Sequence, residues 1–88
     1  MPDKPLWLGR IPDAVQFLEL QSDPWVDRPM LESLLHVGRR RAQQLLSPVA
    51  RRRVGASVVA RREDVIVHLN RIAAGETAYY EGLRRRQL

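Results

Sequence analysis

Apolar positions along this chain recur at helical spacing in several stretches and at strand spacing in one. Ala14, Val15 and Leu18 stand about one turn apart, with Phe17 and Leu20 on the flanks. Pro12 suits the first turn of a helix, where its missing amide loses no partner. The spacing predicts a helix over 12–21, ended by Ser22-Asp23-Pro24 and preceded by a proline-punctuated extended arm over 1–10. Trp7 and Trp25 flank this helix and read as core plugs. Asp27 is a good N-cap for a helix through Leu35: Val26 can staple against Leu31, Pro29 falls in the first turn, and Leu31, Leu34 and Leu35 form the apolar stripe. After His36 and Val37, Gly38 can break or cap. A second helix then runs over 39–46 with Ala42, Leu45 and Leu46 on one side, stopped by Ser47-Pro48.

The period changes over 51–60. Val54, then Gly55-Ala56, then Val58-Val59 reads as two β-prone arms around a glycine turn, a short hairpin. A third helix starts near Arg62-Glu63-Asp64, its acids complementing the helix dipole, with Val65, Leu69 and Ile72 as its stripe and Gly75 as an expected interruption. A last amphipathic segment over 76–86 carries Tyr79, Tyr80 and Leu83 before three arginines. The chain thus divides into an arm with a short helix (1–25), a helix-turn-helix with hairpin (26–74) and a basic C-terminal segment (75–88). The expected class is mainly α: a small helix-turn-helix domain with a short β-hairpin between the second and third core helices, an extra N-terminal helix and a C-terminal helical segment.

Length narrows this to one small core, since 88 residues leave no room for a second and predict a radius of gyration of about 12 Å. There is no cysteine, so neither a disulfide framework nor a thiolate metal site is available. No apolar run approaches membrane-spanning length, and the first five residues lack the apolar core of a signal peptide, which together predict a cytoplasmic protein.

Charge changes the picture most. The formal net charge is +5, and 14 of the 15 cationic residues are arginine, whose guanidinium pairs bidentately with phosphate. Residues 1–37 are net −3 and residues 63–88 net zero, whereas residues 38–62 hold eight arginines and no acid. Such a block in an otherwise slightly acidic chain is the footprint of a polyanion site. On a helical wheel the second helix turns Ala42, Leu45 and Leu46 inward and leaves Arg40, Gln43, Gln44 and Ser47 outward, with Arg39 and Arg41 on the shoulders. Arginine can bond guanine and glutamine can bond adenine in the major groove, while shoulder arginines reach phosphates. Catalysis has no comparable signal. His36 and His68 fall on different elements, no glycine-rich phosphate loop is present, and no serine has a partnering base at a recognisable spacing. Glu63-Asp64 is explained by its place at a helix start. The chain reads as a non-enzyme needing no cofactor and implying no metal or small-molecule ligand.

The order of elements resembles the excisionase and MerR-type winged helix-turn-helix DNA-binding domains. Val26-Asp27, the run from Leu34 to Arg41, and Val54-Gly55 followed by Val58 and Arg62-Glu63-Asp64-Val65 carry the resemblance, which spans about residues 26–73. It implies that Arg39, Arg40, Arg41, Gln43 and Gln44 face the groove of double-stranded DNA and that Arg51, Arg52 and Arg53, with Arg61 and Arg62, serve the wing and the DNA backbone. The expected role is that of a small, nucleoid-associated transcription regulator or excisionase-like accessory factor. A homodimer through 76–88 is a further expectation, from the apolar side formed by Tyr79, Tyr80 and Leu83. The rival reading is an adaptor, phage or ribosome-associated, that turns its basic surface to an acidic protein partner or RNA. Single-stranded RNA readers stack bases on aromatics, and residues 38–62 contain none.

Overall fold

Ten apolar side chains from the first three helices and five from the strands, the linker after the third helix and the last helix meet in one buried cluster, and the elements are arranged around it. The computed structural model describes the backbone of residues 5–86 and the side chains of residues 5–75. In chain order the elements are α1 (Leu6–Leu20), β1 (Trp25–Val26), α2 (Arg28–Leu35), α3 (Arg39–Leu46), β2 (Arg51–Val54), β3 (Ser57–Arg61) and α4 (Arg62–Arg86). This is the expected architecture: a core helix pair, a hairpin wing after it, an additional N-terminal helix and a C-terminal helical segment.

The helix pair forms where its local signals put it. Asp27 caps α2, its Oδ1 accepting the Met30 amide at 2.9 Å, and Pro29 occupies the first turn. His36 closes α2 in the left-handed region at φ 55°, ψ 48°. Gly38 then caps α3 in extended conformation. Leu31, Leu35 and Ala42 are fully buried, with Leu45 and Leu46 nearly so, and all five join one cluster with Val26, Val65 and Leu69. The wing is a two-residue hairpin in which Val54 pairs with Ser57 across Gly55-Ala56. Gly55 sits at φ 61°, the positive φ that a type II′ hairpin needs at its first central residue.

Four expectations are corrected. The N-terminal helix begins at Leu6, so residues 6–10 are helical instead of extended, and Pro12 lies inside it. Burial of Leu8 and Ile11 beside Ala14, Val15 and Leu18 continues the apolar stripe through the proline, which stands on the exposed side. Trp25 and Val26 form a third strand antiparallel to β3, giving a sheet of order β1-β3-β2. Trp7, half-buried, packs against the core as expected, whereas Trp25, also half-buried, stands outside the core cluster. Finally, α4 runs unbroken through Gly75, so the third helix and the C-terminal segment are one element of 25 residues. Glycine costs a helix about 1 kcal/mol relative to alanine, less than the turns on either side supply. The Tyr79, Tyr80 and Leu83 side chains lie outside the described residues.

Helices α1 and α4 run antiparallel, since Arg62 at the start of α4 hydrogen-bonds the Gln21 carbonyl at the end of α1. A 25-residue helix is about 37 Å long, against about 22 Å for the 15 residues of α1, so the end of α4 projects past the body. This lengthens the molecule to 52 × 25 × 20 Å and raises the radius of gyration to 14.2 Å.

Candidate nucleic-acid interface

Helix α3 turns its three apolar residues into the core and leaves Arg39, Arg40, Arg41, Gln43 and Gln44 exposed. Gly38 offers no side chain to the first turn, and the first α-helical bond is from the Ala42 amide to the Gly38 carbonyl at 3.1 Å. The amides of Arg39, Arg40 and Arg41 therefore point outward from a helix start that carries three guanidinium groups. Donors and charge at that end both favour an anion.

Strand pairing divides the wing arginines between two faces. Arg51 pairs with Ala60 and Arg53 with Val58, and Ala60 also pairs with Val26, so these residues share the inner face that continues into the core. An open groove of about 420 Å³ lies there, between α3, the start of α2 and the wing. Gln43 and Leu46 line it from α3, and Arg51, Ser57 and Val58 from the hairpin. Asp27 and Arg28 lie at its other wall, but both are engaged within α2, Asp27 in the cap and Arg28 in an ion pair with Glu32 at 2.5 Å.

Arg52 belongs to the outer face. It pairs with Val59, which shares that side with Arg61 and with Trp25 opposite Arg61. Its guanidinium carbon stands 5.3 Å from the centroid of the Trp25 ring. A matching pair occurs on the other flank of the basic surface, where Arg41 stands 5.7 Å from the centroid of Trp7 on α1. Cation–π contacts of this kind are worth about 0.5–1 kcal/mol at exposed sites and, more to the point, fix the direction of a long side chain. Sequence reading missed both partnerships. They depend on strand pairing and helix packing between residues far apart in the chain, and no spacing signals them.

Of the ten arginines and glutamines expected at the interface, the structure gathers Arg39, Arg40, Arg41, Gln43, Gln44, Arg51 and Arg53 around α3 and the inner wing face. Arg52 and Arg61 lie on the opposite face of the sheet. Arg62 is taken up by the fold: one guanidinium nitrogen donates to the Gln21 carbonyl, the other meets Glu63 at 3.2 Å, and its amide donates to the Pro24 carbonyl at 2.8 Å. It is half-buried and ties the turn after α1 to the start of α4. The Glu63 carboxyl is held below its ordinary range, first by a hydrogen bond from its own backbone amide and then by Arg62. Glu63 and Asp64 thus serve the helix start, as their position suggested.

His36 is exposed at the end of α2 and His68 half-buried on α4, on separate elements. Among the described residues no group of three or more His, Cys, Asp or Glu could hold a metal ion, and no helix is long and apolar enough to cross a membrane. Comparison with family models, with curated proteins and with solved structures finds no match to this chain. Its winged-helix character rests on the order of the elements, the packing of α3 and the placement of the wing.

Proposed function

We propose that this chain binds double-stranded DNA sequence-specifically, with α3 in the major groove and the inner wing face on the adjoining backbone, in the manner of the excisionase and MerR-type domains that it resembles. One observation carries the reading: α3 buries Ala42, Leu45 and Leu46 while presenting three arginines and two glutamines beside a groove whose far wall holds Arg51. Arg40, Gln43 and Gln44 reach base edges. Arg39, Arg41, Arg51 and Arg53 neutralise phosphates. The protein acts by binding and not by catalysis, as a nucleoid-associated regulator or recombination accessory factor.

The two tryptophans beside the basic surface do not turn it into a platform for single-stranded RNA. Each ring is half-buried and already covered by a guanidinium. The experiment is a titration against random duplex DNA, duplex RNA and heparin at two salt concentrations. Tighter binding to duplex DNA than to duplex RNA or heparin, with strong salt dependence, is expected. Equal affinity for all three polyanions, or no duplex binding at about 50 mM salt, refutes the reading and favours an adaptor for an acidic partner.

A further inference from the structure

Helix α1 is apolar on two sides. Its inner stripe lies in the core, yet Leu6 and Leu20 are 80% exposed and Phe17 is 52% exposed. Large apolar side chains exposed together on the face turned away from the core mark a surface that another chain can cover. The outer residues are ordered: Leu6, Arg10, Asp13, Phe17 and Leu20 follow one another at intervals of four and three and fall within an arc of about 80°. That is the spacing of a helix–helix seam.

The seam is also self-complementary. Let a second α1 lie antiparallel to the first, about a two-fold axis midway between Ile11 and Pro12. Leu6 then faces Phe17 of the other copy and Arg10 faces its Asp13, and symmetry repeats each contact. Four of the five positions find a matching partner, apolar on apolar and guanidinium on carboxylate, while Leu20 lies past the paired stretch. A two-fold interface demands this relation, in which residue i meets j and j meets i. Neither Arg10 nor Asp13 forms an ion pair among the described residues, although they stand one turn apart on the same helix.

From this seam we propose that the outer face of α1 docks a second copy of this chain through antiparallel α1–α1 pairing. The surface is separate from α3 and the wing, and the inference does not depend on what those elements bind. A seam of five residues per copy buries less than the roughly 1,200 Å² of standard interfaces, so the dimer is weak and reversible.

The test is sedimentation equilibrium of the full chain without nucleic acid, from about 10 µM to about 1 mM. Dimerisation is expected within that range. Arg10→Asp and Asp13→Arg should each raise the dissociation constant more than about tenfold, because either change sets like charges opposite each other at both symmetric contacts. An equimolar mixture of the two single variants should form a heterodimer, and the double variant R10D/D13R should regain dimerisation, since both restore opposite charges. Phe17→Ser should weaken the dimer without a charge change, and thermal melts check that each variant keeps its fold. A monomer throughout the range overturns the proposal. So does a dimer that ignores both charge changes, because its contact lies elsewhere, for instance over 76–88.

Discussion

The two faces of the wing make a sharp distinction among three consecutive arginines. If Arg39, Arg41, Arg51 and Arg53 each neutralise one phosphate, log K for duplex DNA should fall with log salt at a slope of about −3.6, at −0.9 per phosphate. Arg51→Ala or Arg53→Ala removes one contact from the groove side, where strand pairing places both. The slope should then become about −2.7. Between about 50 and 200 mM salt, the loss of affinity would shrink from roughly 150-fold to roughly 40-fold. Arg52→Ala should leave the slope unchanged, since that side chain lies over Trp25 on the other face. Fluorescence anisotropy with a labelled random duplex at four or so salt concentrations measures all four slopes. If Arg52→Ala lowers the slope as much as its neighbours do, the phosphates do not distinguish the wing's faces and the proposed docking geometry is wrong. If none of the three changes it, the wing does not touch the backbone.

Replacing Arg40 or Gln44 with alanine should cost about 1–3 kcal/mol on a site selected from a random duplex pool and little on random DNA; equal weakening on both would remove α3 as a base reader. Gly55→Ala should destabilise the fold by about 1–2 kcal/mol in urea unfolding, because the left-handed conformation strains alanine while the space around a new Cβ is open. His36→Gly should stabilise by about 0.5–1 kcal/mol, the balance of relieved left-handed strain against added chain entropy. Arg62→Ala should cost about 1–3 kcal/mol of stability through the lost tie to the Gln21 carbonyl, with no change in the salt slope for DNA; a changed slope would return Arg62 to the interface.

Where a signal was local, the amino-acid order alone determined the outcome. The limits of α2 and α3 follow from the Asp27 cap, Gly38 and Ser47-Pro48, because capping and chain-breaking act within a turn of the residue that causes them. The hairpin turn follows from Gly55 in the same way, and the acid-free arginine block is visible in the bare sequence. Whatever depended on distant residues was decided by tertiary structure. Helix α1 extends back to Leu6 through Pro12 because the core buries Leu8 and Ile11, and that burial outweighs one missing backbone hydrogen bond. Strand β1 is two residues long and exists because β3 is there to pair with it. The same pairing register sorts Arg51 and Arg53 from Arg52, and helix packing brings Trp7 under Arg41. Three adjacent arginines look alike in a sequence, and only the alternation of a paired strand gives them different surroundings.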